Sequence, residues 1–141
     1  MAARMSIQTV LAQHHITQTW QQHLDNAGPT LGGVDWAMPI GTVLPPPPGT
    51  IAHEWVTPAT RPRPAWYNTG LGNAVAWVRP DGTRTIYGHG SAFDGDFRSG
   101  NSGTSTGPHV HIHDVLADGH TRAEPFSTIP APAADDVTPF D

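Results

Sequence analysis

The chain has 141 residues, with 15 Gly and 15 Pro spread without a Gly-X-Y period. This is one domain's worth of turn-rich, mainly β protein, and neither a collagen nor a helical bundle. A net charge of −5 from 13% charged residues, with every basic residue an Arg, leaves no basic stripe for nucleic acid, and the absence of Cys excludes disulfides, thiolate metal sites and cysteine nucleophiles. Nine His against this acidic, thiol-free background point to a metal held by nitrogen and oxygen ligands, zinc ahead of copper or iron.

Residues 6–25 contain no Gly or Pro, and Ile7, Val10, Leu11, Trp20 and Leu24 recur at near-helical spacing. The pattern predicts one imperfect helix, or a helix followed by a short strand at 16–20, capped by Ser6 and stopped by Asn26, Ala27, Gly28 and Pro29. Beyond Thr30, short apolar runs at 34–38, 42–44, 50–53, 73–78, 83–88 and 109–116 alternate with Gly, Pro, Asp and Asn and read as strands. The runs at 73–79 and 83–87 flank Pro80, Asp81 and Gly82 and predict an antiparallel hairpin. Residues 45–48, 57–64 and 93–106 read as loops, and 130–141 as an extended tail without enough apolar surface to order itself. The expected layout is an N-terminal helix and lead-in over 1–28, a β core over 29–129 and the tail. No stretch approaches a membrane span and the N-terminus lacks a signal-peptide core, so the expected product is soluble and made in the cytosol.

The most informative run is Ser105, Thr106, Gly107, Pro108, His109, Val110, His111, Ile112, His113. In a strand, residues two apart share a face, so His109, His111 and His113 form a row of imidazoles backed by Val110 and Ile112. Such a strand offers a metal ligand and a non-ligating histidine together; the alternative is a polar, solvent-facing strand side.

The run from Ser105 to His111 resembles the His-x-His signature of the lysostaphin or LytM type of zinc metalloendopeptidases, which cut peptide bonds in bacterial peptidoglycan. Gly32, Gly33, Val34, Asp35, Trp36, then Pro39 to Thr42 and Gly49 to Ile51, resemble that family's metal-Asp strand, Gly-Thr turn and following strand. Residues 72–75 through Ile86, Tyr87, Gly88 and His89 resemble its central hairpin, which ends in Tyr-x-His. The resemblance runs from about Ile16 to Ile129 and implies a mainly β, single-domain antiparallel core with one N-terminal helix and long loops. It implies one Zn2+ per chain, with Asp35 and His111 as ligands and His109 and His89 as catalytic histidines. The family's usual ligand His, four residues before the Asp, is replaced here by Leu31. His23 takes that role in our reading, at a longer interval that resembles some actinobacterial and phage members; a helix-end histidine is the alternative. His14 and His15 read as surface residues. Between His89 and His109 the chain is shorter than family members usually are, so one cleft wall reads as trimmed.

With no Cys, a cysteine acyl-enzyme has no support. Two imidazoles and a carboxylate leave a coordination position open for water, while neighbouring histidines serve as acid–base and oxyanion groups. Tyr87 and Asp114 are conceivable supports for the site or plain strand residues. Trp36 and Trp77 read as core or cleft wall; Trp55 and Trp66 flank the proline loop and read as core before ligand contacts. The resemblance thus implies a peptidoglycan endopeptidase, a phage lysin or virion-associated wall hydrolase, whose partners are the wall peptide and, through the tail, other phage tail proteins. The competing expectation is a catalytically degenerate domain with a structural or wall-binding role in a phage tail.

Overall fold

The computed structural model describes residues 5–130, so the tail reading lies almost wholly outside the described residues. In chain order the elements are α1 (Ile7–Leu11), β1 (Ile16–Gln18), α2 (Trp20–Ala27), β2 (Val34–Ala37), β3 (Val43–Leu44), β4 (Ala52–Val56), β5 (Asn73–Val78), β6 (Arg84–Phe93), β7 (Phe97–Ser99), β8 (His109–Val115) and β9 (Arg122–Ala123). The strands form one antiparallel sheet in the order β1-β2-β8-β6-β5-β4, with β7 joining β3 to β6 and β9 added to β8. No helix among the described residues is long and apolar enough to cross a membrane.

The N-terminal segment departs from a single helix. Ser6 caps α1 by accepting from the Thr9 N–H at 3.1 Å, but α1 ends at Leu11. Ile16 and Thr17 then pair with β2, as β-branched residues favour. A second helix starts at Thr19 through a reciprocal capping box with Gln22, with bonds of 2.8 and 3.3 Å. The structure therefore has two helices around a strand where periodicity predicted one helix or a helix and a strand. His23 lies within α2, not at its end, and His14 and His15 lie between α1 and β1 instead of in a helix.

The predicted hairpin is present, with Val75 opposite Tyr87 and Val78 opposite Arg84. Its turn closes through Arg79 N–H to the Thr83 carbonyl (3.0 Å), and the Asp81 carboxylate accepts from Thr83 N–H and Oγ1 at 3.0 and 2.7 Å. Two strands differ from the sequence reading. β4 begins two residues later and runs to Val56, and β6 continues past Gly88 to Phe93. Residues 97–99 form β7 inside the predicted 93–106 loop, where a fully buried Phe97 packs in the core among small residues that gave no apolar pattern.

Alternation sorts the central strands into two faces. Val75, Trp77, Tyr87, Val110 and Ile112 build one core with α1; Ala74, Ala76, Ile86 and Val115 build a second with Val56, Trp66, Tyr67 and Leu71. The row of histidines shares the second face with Val115, on a small-residue sheet surface. Trp77 and Trp66 are buried, Trp36 and Trp55 pack against the first core, and Tyr87, fully buried, donates to the Pro45 carbonyl at 2.8 Å.

Asp114, also on the first face, has no part in the site. It accepts from Arg79 Nη2 (3.3 Å), Thr85 Oγ1 (2.7 Å), Phe126 N–H (2.9 Å) and Thr128 N–H (3.0 Å), with Arg79 and Asp114 exposed by 1% and 0%. This carboxylate ties the hairpin to the segment that follows β9. Removing it leaves the Arg79 guanidinium buried without a counter-charge, so Asp114→Ala is expected to cost about 3–5 kcal/mol of folding stability by urea denaturation, whereas exposed Asp94→Ala, removing a surface pair with Arg98, is expected to leave the urea midpoint almost unchanged.

Candidate active site

The site grows from the register of β2 on β8, which sets Asp35 directly opposite His111. Both residues sit on the histidine face, and the His111 Nδ1 lies 3.2 Å from Asp35 Oδ1. Gly33 makes that approach possible: a Cβ there would sit 2.0 Å from His111 Cε1. The next residue back, Gly32, is covered by the Trp20 indole, 2.4 Å from where its Cβ would lie. The Gly-Gly pair thus lets α2 settle onto the loop before β2.

That settling delivers His23. Its Nδ1 bonds to the Leu31 carbonyl at 2.7 Å, which fixes the proton on Nδ1 and leaves Nε2 bare, 3.1 Å from His111 Nδ1 and 3.9 Å from Asp35 Oδ1. Leu31 cannot offer a ligand side chain, but its backbone oxygen orients an imidazole brought from a helix. Behind His111, its Nε2 lies 2.8 Å from His113 Nδ1, and His113 is fully buried with its own Nε2 unpartnered. With the proton of His111 on Nε2, donated to His113, Nδ1 also presents a lone pair.

Two bare imidazole nitrogens and a carboxylate oxygen then converge, their ligand atoms all within 4.8 Å of one another, the one such group among the described residues. Uncompensated, these lone pairs repel. Separations of 3.1, 3.2 and 3.9 Å match the roughly 3.3 Å edge of a tetrahedron with about 2.0–2.1 Å bonds, so the donor set suits a small cation with nitrogen and oxygen ligands.

Two further histidines stand beside this group. His109 Nδ1 donates to the Gly107 carbonyl at 2.8 Å, leaving Nε2 bare and 3.6 Å from Asp35 Oδ2. His89 Nδ1 donates to the Ser102 carbonyl at 2.7 Å, and the His89 and His109 rings lie 4.6 Å apart. His89 has φ +59°, a left-handed conformation that costs a non-glycine residue about 1–2 kcal/mol. The segment between His89 and His109, although short, is therefore a support: Ser102 Oγ also donates to Gly90 (2.6 Å) and accepts from Asn73 N–H (3.0 Å). All five histidine and aspartate positions read from the sequence meet in one cleft of about 430 Å³, lined also by Asn68, Leu71, Thr104, Thr106 and Arg122. Sequence reasoning missed the bracing roles of Ser102, His113 and Arg122. For His113 the same-face spacing was the available signal.

Burial governs the protonation of these groups. It pulls His111 down to about 4 against the opposing hydrogen bond and charge of Asp35, lowers His113 well below the ordinary range, and lowers His89 against its bond to Ser102. Burial raises the Asp35 carboxyl, but the bond and charge of His111, with the charges of His109 and His23, win and hold it below its ordinary value. The site thus sets the Asp35 carboxylate against the neutral rings of His89 and His111.

A histidine-rich cleft on an antiparallel sheet has known counterparts. No family model matches the chain. The "DD-carboxypeptidase/endopeptidase Mpg" of Neisseria meningitidis serogroup B is 34% identical over 108 residues, covering 70% of this chain and 21% of that protein, so the chain spans about a fifth of the length of the curated relatives it matches. Among solved structures, the catalytic domain of lysostaphin from Staphylococcus simulans superposes with a TM-score of 0.54 at 22% identity over 81% of this chain and 92% of the other. A variant of the catalytic domain of the prophage-encoded M23 protein EnpA from Enterococcus faecalis gives 0.51 at 28% identity over 70% and 78%. By fold, motif order and these likenesses, the chain belongs to the lysostaphin/LytM-type (M23) peptidase family.

The protonation pattern carries a pH signature. His89, His111 and His113 are lowered from 6.5, so the folded state binds fewer protons than the unfolded one below that pH. Their stabilising contribution is complete above about 6.5 and is lost as pH falls toward 4, at up to roughly 1.4 kcal/mol per pH unit for each imidazole. Urea denaturation of protein kept free of metal is expected to show a clear drop between pH 7.5 and 5, reduced in His113→Leu.

Proposed function

We propose that this chain is a zinc-dependent endopeptidase that cleaves peptide cross-links of bacterial peptidoglycan, with one Zn2+ held by His23, Asp35 and His111. The observation that carries the reading is the convergence of two bare imidazole nitrogens and a carboxylate beside two further histidines whose Nδ1 protons are each tied to a backbone carbonyl. The names of the relatives, a carboxypeptidase/endopeptidase and a peptidase, support it.

When bound, zinc supplies a Lewis acid that acidifies water and polarises an amide carbonyl. The chain's own residues do the rest. Asp35 and His23 are ligands held by sheet register and by the Leu31 carbonyl. His109, the more open of the two remaining histidines, takes the proton of the attacking water at Nε2 and returns it to the leaving amine. His89, neutral and committed at Nδ1, orients that water by accepting a hydrogen bond at Nε2. In this protonation state it accepts a bond and does not donate one to an oxyanion. Leu31 is no relic on this reading, because its carbonyl positions the replacement ligand. The likeness to a prophage-encoded enzyme supports a phage lysin or virion-associated setting, which detection of the chain in purified particles would test.

Elemental analysis is expected to find one zinc per chain in the wild type and substoichiometric zinc in His23→Ala and Asp35→Ala; full zinc in His23→Ala would remove His23 from the ligand set. His109→Ala and His89→Ala are expected to fold and keep zinc while losing release of soluble peptide fragments from purified peptidoglycan by about 10²–10⁴-fold.

A further inference from the structure

Arg122 has no part in the chemistry above, yet it lines the same cleft as His23, Asp35 and His111. It sits on β9 opposite Val115, and so on the face that carries His109, His111 and His113. One guanidinium group, Nη1, donates to the Gly32 carbonyl at 3.1 Å. Among the described residues no carboxylate lies within ion-pair distance of it, unlike Arg79, Arg84 and Arg98, which each have one. Burial alone moves it, down to about 10, with no acidic neighbour opposing, so it remains a cation at neutral pH.

A half-buried guanidinium with one carbonyl partner is an expensive arrangement, because a single oxygen satisfies few of its five N–H donors. Its charge also works against the neighbouring imidazoles, disfavouring protonation of both His111 and His113. Among the residues lining the cleft, Arg122 is the one permanent cation and Asp35 the one acid, and Asp35 is already engaged with histidines. The remaining lining side chains include neutral Gln18, Asn26 and Asn68. Arg122 therefore has no carboxylate partner in the cleft, and its planar fork, which gives one N–H to Gly32, matches a carboxylate in two-point fashion.

We propose that Arg122 is a substrate-binding residue that pairs with a carboxylate of the peptide to be cut, fixing which peptides the cleft accepts. The inference rests on the peptidase reading. The carboxylate has two possible sources with the same chemistry: the free α-carboxylate at a peptide end, or a side-chain carboxylate within the peptide.

The test uses zinc-loaded wild type, Arg122→Gln and Arg122→Lys with two matched pairs of synthetic wall-type stem peptides. One pair ends in carboxylate or carboxamide; the other carries a side-chain carboxylate or its amide. Wild type is expected to lose at least about tenfold in kcat/KM, mainly through KM, on amidation in one pair, and that pair names the source. Arg122→Gln should cleave both members of that pair at the lower rate, and Arg122→Lys should recover part of the difference. Equal, measurable wild-type rates within both pairs, or discrimination that survives in Arg122→Gln, would overturn the proposal, since a guanidinium that merely pins Gly32 would not sense amidation. Binding separates the two readings. A shift of the wild-type Arg122 Nε–H resonance with the carboxylate peptide and not its amide, without cleavage, leaves the inference standing and removes the hydrolase.

Discussion

Everything at the site depends on one strand register, β2 against β8, which brings the Asp35 carboxylate to 3.2 Å from the His111 ring. A slip by one residue would turn Asp35 to the apolar face and bury Val34 among imidazoles. The register is held from both sides: Val110 and Ile112 fill the first core with Val75 and Tyr87, and Gly33 leaves no volume between the strand and His111. The apolar face thus fixes the polar one. Hydrophobic burial over several strands meets the desolvation of Asp35, His111 and His113, and the remaining imbalance of lone pairs is what a cation would relieve.

Position 31 holds Leu, and the imidazole that stands beside Asp35 and His111 comes from α2. A histidine four residues before Asp35 would share the loop that Gly32 and Gly33 make. Here that loop is bare of a donor side chain, and its thinness admits α2 instead. Trp20 covers Gly32 while the Leu31 carbonyl accepts a hydrogen bond from His23 Nδ1–H. Two contacts, Trp20 on Gly32 and His23 on the Leu31 carbonyl, place this imidazole. The price is dependence on a short helix whose stability comes from its capping box and from Trp20.

Much of this was legible in the sequence, for identifiable reasons. The hairpin could be read because alternation and an Asp-Gly turn coincide in 73–87, and the histidine row because period-two spacing is unambiguous in His109, His111 and His113. β7 was hidden because its one core residue, Phe97, stands among Asp, Arg and Ser, and two-partner pairing with β3 and β6 is not a local property. Helical spacing of Ile7, Val10 and Leu11 continues by chance to Trp20 and Leu24, so spacing leaves one helix and a helix with a strand both open and hides α2, because the partner of the intervening strand lies in β2. Tyr87 and Asp114 stood close to the signature motifs in sequence, but strand parity puts them on the opposite face, where one caps a proline carbonyl and the other binds Arg79. Long-range polar contacts such as His89 to Ser102 leave no mark in spacing at all.

In the proposed site His23, supplied by a helix, completes a cation-binding group with Asp35 and His111 while His109 and His89 stay off the metal. Histidine-ring 15N NMR during a zinc titration tests it most directly, because each nitrogen reports its own state. The account predicts slow-exchange shifts at one equivalent for His23 Nε2 and His111 Nδ1, with His89 and His109 keeping protons on Nδ1. Zinc-induced coordination shifts at His109 or His89, or a His23 ring unchanged at saturation, would contradict it.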